Sequence, residues 1–290
     1  MDNNILNLPS PLISDKFELF RKGVYCNPET NVWINQSKSF AYLDPLPIVN
    51  YENYIPRVEQ LGLSKYKQNS SVLESRFEKI NHIIKKKKSI LEIGSADGSF
   101  LKLVHQHFPD LLYYSVEPDI STSPYRDKLS WLVQYGHLSE AVQNNVKVDV
   151  VALFHVFEHI EKPNEFLKLV SKILTEDGVI LIEVPCLMDP LLSVFHLSSY
   201  QEFYFQCQHP FVYSEESLCR VLKCEGFDVQ QVIYHQRYGM ENHLQWLSKG
   251  LPGGNQTYKE MFKNIDKDYR SALESKGKTD SIMIIAKAKR

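Results

Sequence analysis

Between residues 89 and 185, short apolar runs alternate with amphipathic helical segments, and this alternation restricts the fold more than any other feature of the chain. The runs at 89–94, 112–117, 148–154 and 178–185 are too continuously apolar for one face to meet water, so they read as strands buried on both faces. Phe100, Leu101, Val104 and Phe108 give the first intervening helix one buried stripe. Pro163 opens another, with Phe166, Leu167, Val170, Ile173 and Leu174 inside and Asp177-Gly178 closing it. Such repetition joins parallel strands through helices that lie on the sheet. The expected fold class is therefore α/β, with a doubly wound, mainly parallel sheet.

The flanks extend this pattern. Val72, Leu73, Phe77, Ile80, Ile83 and Ile84 recur at helical spacing before the first strand. Lys85-Lys86-Lys87-Lys88 then reads as a solvated helix end, favourable at the negative end of the dipole, rather than as an anion patch. A later helix starts at Ser214 and ends at Gly226, and strands follow at 227–234 and 282–288.

Composition narrows the function. The 290 residues carry a net charge of −2, which argues against a nucleic-acid binder working by bulk charge. No signal peptide and no apolar run of membrane-spanning length is visible, so a cytoplasmic protein with no membrane partner is expected. Five cysteines without a CxxC pair argue against a disulfide framework or structural zinc. Cys207-Gln208-His209 offers two ligand-type groups but reads as packing, and no metal is expected. The chain is rich in aromatics, with 16 Tyr, 15 Phe and 3 Trp.

The informative stretch is Leu91-Glu92-Ile93-Gly94-Ser95-Ala96-Asp97-Gly98-Ser99-Phe100, a strand running through a small-residue turn into a helix. Gly94 and Gly98 permit a tight turn and close ligand approach, at the strand end where open α/β sheets bind ligands. A dinucleotide site wants G-x-G-x-x-G, whereas here the spacing is G-x-x-x-G. Glu92 and Asp97 would repel a pyrophosphate but suit an ammonium group. Glu117, closing the second strand, can accept two ribose hydroxyls. An amino-acid cation plus a ribose without phosphate describes S-adenosylmethionine.

On these residues, the region 89–235 resembles the class I S-adenosylmethionine-dependent methyltransferases. Glu92 through Gly98 resembles the family's first motif and Val116-Glu117-Pro118-Asp119 its second. Asp149 through Ile160, with its Phe157-Glu158-His159, resembles the fourth-strand motif of the branch acting on quinones, sugars and other small metabolites. The resemblance implies a Rossmann-like, seven-stranded sheet with an antiparallel last strand. It implies cofactor contacts from Glu92, Gly94, Ser95, Ala96, Asp97, Gly98, Glu117 and Pro118. It also places His137 in an adenine-side loop and His155 in the cofactor pocket. Residues 1–69 are expected as an N-terminal cap, and 70–290 as the methyltransferase domain with insertions at 186–213 and 238–280.

Chemistry beyond the cofactor has fewer signals. His159, beside Glu158, is the candidate base for a hydroxyl or carbon acid, and the alternative is that the pair shapes its loop. The stretch 186–213 holds seven aromatics and reads either as a lid over the acceptor or as a packed subdomain or homodimer face. Tyr204, His209, Arg237 and His243 are candidate acceptor contacts, and Arg237 suits a phosphate on a nucleotide-linked or phosphorylated sugar. The rival readings are an NAD-linked oxidoreductase and a methyltransferase-like binding module without turnover.

Overall fold

The computed structural model describes residues 8–24, 27–46 and 70–289. Residues 1–7, 25–26 and 47–69 of the expected cap, with the prolines at 47 and 56, lie outside the described residues. In chain order the elements are β1 (Phe17–Arg21), β2 (Asn31–Asn35), β3 (Phe40–Asp44), α1 (Ser70–Ile84), β4 (Ser89–Ile93), α2 (Ser99–His107), β5 (Leu112–Val116) and α3 (Ser123–Arg126). Then come β6 (Leu132–Tyr135), α4 (Leu138–Gln143), β7 (Val148–Phe154), α5 (Pro163–Ile173), β8 (Leu174–Pro185), α6 (Pro190–Ser193), α7 (Ser198–Tyr204) and β9 (Phe211–Tyr213). The chain closes with α8 (Glu215–Cys224), β10 (Phe227–His235), α9 (Met240–Lys249), α10 (Gln256–Phe262), α11 (Asp266–Ser275) and β11 (Ser281–Ala288).

Seven strands form the central sheet in the order β10-β11-β8-β7-β4-β5-β6. The run β8-β7-β4-β5-β6 is parallel, and β11 is antiparallel to both β8 and β10. Alternation along each strand sends side chains to two cores. Leu91, Ile93, Val151, Leu153, Ile180 and Ile182 face the side covered by α5 and α8. Ile90, Val150, Ala152, Phe154 and Leu181 face α1 and α2. The doubly wound architecture therefore follows from strands with no polar face to leave in water.

Strand β8 differs from expectation at its start. Asp177-Gly178 does not end a helix; the strand already begins at Leu174, which pairs with Val148. The Thr175 hydroxyl donates to Asp149 at 2.8 Å, fixing this early pairing across an irregularity in register.

A second sheet runs β1-β2-β3-β9 and joins the N-terminal segment to the 186–213 insertion. Phe211 and Tyr213 of β9 pair with Tyr42 and Phe40 of β3. Tyr200, Tyr204, Phe205 and Trp246 pack with Val32, Ile34, Ala41 and Leu43 into a third core. Arg220 of α8 ties this unit to the main domain by two hydrogen bonds to Asp15, at 2.9 and 2.7 Å. The aromatic insertion thus packs against the N-terminal strands and pairs with β3. Cys207 is disulfide-bonded, which corrects the reading of Cys207-Gln208-His209 as packing alone and the expectation against disulfides.

Candidate active site

The site lies at the carboxyl ends of β4, β5, β7 and β8. Gly94 takes φ +73°, and Gly98 takes φ +78°, conformations that favour glycine. A Cβ on Gly94 would lie 2.3 Å from Val156 Cγ2, so the loop after β7 closes tightly on this turn. The Ala96 amide donates to Glu117 Oε2 at 2.8 Å and the Asp119 amide to Oε1 at 2.9 Å. Both carboxylate oxygens are thereby oriented, each with acceptor capacity left for a ribose hydroxyl. Asp97 instead serves its own turn, accepting from the Ser99 amide at 3.0 Å and from the Ser99 hydroxyl at 2.6 Å.

Glu92 is buried, and its Oε2 has no hydrogen-bond partner among the described residues; the same holds for Ser95 Oγ. Burial pushes the Glu92 carboxyl up to about 8, against the pull of Arg76 and with help from Glu117 and Asp97. Buried polar atoms normally find partners, so these two suit a polar ligand at the turn. A bound amino-acid ammonium would satisfy Glu92, and the oriented Glu117 would take the ribose. The residues present therefore fit S-adenosylmethionine.

Sequence reasoning missed the support beneath Glu92. The Arg76 Nε donates to Glu183 Oε2 at 2.6 Å, and the guanidinium sits 4.2 Å over the Phe154 ring. His235 Nδ1 lies 2.8 Å from Glu183 Oε1, and Ser75 Oγ lies 3.0 Å from His235 Nε2. Glu183 is fully buried, yet Arg76 and the histidines hold its carboxyl well below the ordinary range despite the cost of burial. The available signal was a charge inside the apolar run Leu181-Ile182-Glu183-Val184, because buried charges need partners.

His155 follows β7 with φ +57°. Its Nε2 accepts from Arg237 Nη1 at 2.8 Å, and Arg237 Nε donates to Asp280 Oδ1 at 2.7 Å. The tautomer this sets turns the Nδ1–H toward Glu158 Oε1, 3.3 Å away. Burial alone would raise Glu158; the contact with His155 chiefly outweighs it and holds the carboxyl to about 2. His159 Nδ1 donates to the Gln208 carbonyl at 2.8 Å, and its ring meets His209 edge-on at 4.7 Å. Burial depresses both imidazoles, His209 to about 3. The cluster joins a carboxylate to two neutral imidazoles, a set able to accept a proton or ligate a cation.

The expected acceptor contacts divide. His209 stands in this cluster. Tyr204 is buried in the third core. His243 is buried between Gln236, at 3.4 Å, and the Tyr269 hydroxyl, at 2.5 Å. Arg237 donates Nε to Asp280 and Nη1 to His155, so its guanidinium is largely occupied within the protein. His137 is exposed and precedes α4, while the preceding Gly136 amide donates to Glu140 at 3.1 Å. Pro118 is half-buried beside Glu117.

Residues 66–232 match the profile of a family described as a methyltransferase domain. Among solved structures, a SAM-dependent methyltransferase from Archaeoglobus fulgidus superposes with a TM-score of 0.53 at 21% identity, covering 80% of this chain and 97% of that one. The plantazolicin methyltransferase BpumL, bound to a triazolic substrate analogue and SAH, gives a TM-score of 0.53 at 15% identity, with 81% and 91% covered. The mitomycin 7-O-methyltransferase MmcR gives 0.50 at 12% identity, with 76% and 54% covered. No protein of curated function matches the sequence.

Proposed function

Because this chain belongs to the methyltransferase-domain family and is an S-adenosylmethionine-dependent methyltransferase, we propose that it methylates a small metabolite. Glu92, Ser95 and Glu117 bind the cofactor, and Glu158 with His159 activates the acceptor. The carrying observation is the pair of buried unpartnered atoms, Glu92 Oε2 and Ser95 Oγ, beside a Glu117 already oriented by two amides. The cofactor supplies an electrophilic methyl on a sulfonium. The chain's own work is to align the acceptor and exclude water.

A phosphorylated acceptor is less favoured, because Arg237 already commits Nε to Asp280 and Nη1 to His155. The spatial neighbours of Glu158 are aromatic and histidine side chains, which suits a compact, unphosphorylated acceptor carrying a hydroxyl. Among the described residues no helix is long and apolar enough to cross a membrane.

The test is S-adenosylhomocysteine binding by calorimetry, followed by transfer of labelled methyl to a panel of phenols, sugars and hydroxy acids. His159→Ala is expected to lower turnover at least about tenfold while S-adenosylhomocysteine affinity is kept. Unchanged turnover would remove His159 from acceptor activation. NAD binding in place of S-adenosylhomocysteine would overturn the cofactor assignment.

A further inference from the structure

The Glu158 cluster carries an inference that rests on the methyl-transfer reading and specifies how the acceptor is activated. We propose that Glu158, His159 and His209 hold a divalent transition-metal cation of the zinc class, which binds a hydroxyl-bearing acceptor through oxygen. This departs from the sequence reading, which expected no metal.

Three ligand-type atoms, one from each side chain, lie within 4.8 Å of one another. A zinc-class ion sits about 2.0–2.2 Å from nitrogen or oxygen ligands, which sets neighbouring ligand atoms roughly 3–3.5 Å apart. The three ligand atoms would draw together by about 1–2 Å on taking up the ion.

Independent observations point to a ligand there. Glu158 is 1% exposed; His155 Nδ1 stands 3.3 Å from its Oε1, yet neither carboxylate oxygen receives a well-aligned hydrogen bond among the described residues. A buried carboxylate with no better partner than one poorly aligned imidazole is costly. The Tyr204 and Tyr213 hydroxyls are also buried without partners among the described residues, and both side chains feel the Glu158 charge.

The outer contacts have the form that ligating groups take. His159 donates Nδ1–H to the Gln208 carbonyl at 2.8 Å, which presents Nε2 as the basic nitrogen. His155, fixed by Arg237, stands 3.3 Å from Glu158 Oε1 and limits how that carboxylate can turn.

Two imidazoles and one carboxylate select zinc, iron or cobalt over magnesium or calcium. Three protein ligands leave a coordination position for an acceptor oxygen. A hydroxyl bound there loses its proton to water more readily. Its oxygen lone pair then forms the bond to the sulfonium methyl, and the pair from the breaking C–S bond goes to sulfur. The products are a methyl ether, S-adenosylhomocysteine and a proton, with the cation unchanged. An acceptor with two adjacent oxygens would chelate the ion and is the class favoured.

The experiment titrates the full, chelator-stripped chain with cobalt(II), reading its visible absorption, with zinc as competitor. S-Adenosylhomocysteine binding is measured in parallel. The expected result is one equivalent of cobalt, displaced by zinc. Glu158→Gln and His209→Gln should weaken cobalt by at least about 100-fold while S-adenosylhomocysteine affinity and the circular dichroism spectrum are kept. His209→Gln keeps a similar volume and guards against simple unfolding. Absence of stoichiometric cobalt overturns the inference, as does unchanged affinity in both folded variants. Cobalt binding without S-adenosylhomocysteine binding leaves the cation site standing and overturns the methyl-transfer reading instead.

Discussion

Glu92 shows how a single residue can oppose stability and serve binding. Its folded-state pKa is pushed up to about 8, chiefly by burial. An unfolded glutamate ionises near the ordinary value of about 4.3, so the native state holds the extra proton. The protonated carboxyl is tolerated at low pH, and stability is lost as pH rises from the unfolded value toward the folded one. Glu92→Gln should therefore raise Tm by roughly 5 °C at pH 9 and by little at pH 5. The same change should weaken S-adenosylhomocysteine severely, because the ammonium loses its charged partner. Thermal melts across this pH range, with calorimetry beside them, check both halves. A lower Tm at pH 9 would show that Glu92 is held charged in the free protein. The Arg76–Glu183 pair beneath it needed knowledge of which strands lie side by side, since Phe154 and Glu183 become neighbours only in the β7–β8 ladder.

At the scale of elements, β4, its turn and α2 form one unit whose shape was legible in the sequence. The glycine spacing and flanking apolar residues were enough, because the turn's conformation is a local property. The expected strand at 148–154 coincides with β7, an apolar run with few alternatives. The start of β8 was not legible, because Asp177-Gly178 gives a local stop signal that Leu174 overrides through a long-range pairing. What the sequence could not reveal at Gly94 is Val156, whose Cγ2 lies 2.3 Å from where a Cβ would stand. Gly94→Ala therefore carries two penalties, a left-handed φ of about 1 kcal/mol and a steric clash. Adding Val156→Ala should remove the clash alone. The double variant is expected to regain part of the lost Tm and still melt below the parent. Full recovery would show that φ at this turn is not limiting; no recovery would show that Val156 does not limit space there.

At the scale of the whole molecule, the Glu158 cluster gathers side chains from distant segments of the chain. The main domain supplies Glu158 and His159, while His209 comes from the insertion that leads through Pro210 into β9. That insertion was legible as aromatic-rich, but its fold was not, since β9 finds its partner in β3 near the other end of the chain. Local pattern cannot reveal a sheet assembled from such distant segments. On the proposed function, packing in the N-terminal sheet would reach the acceptor side through the Leu43–Pro210 contact. Leu43 is 1% exposed in the third core, and its amide donates to the Pro210 carbonyl at 3.0 Å, one residue from His209. Leu43→Ala should cost about 2–5 kcal/mol by opening a cavity among Val212, Phe205 and Leu187. Below its melting temperature the variant should still bind S-adenosylhomocysteine within about twofold, because Glu92 and Glu117 stand on the main domain. Its turnover should fall several-fold as the Gln208–His209 segment loosens against His159. Equal loss of cofactor affinity and turnover would mean that the main domain and the insertion respond as one body. A selective loss of turnover would place acceptor activation at their seam.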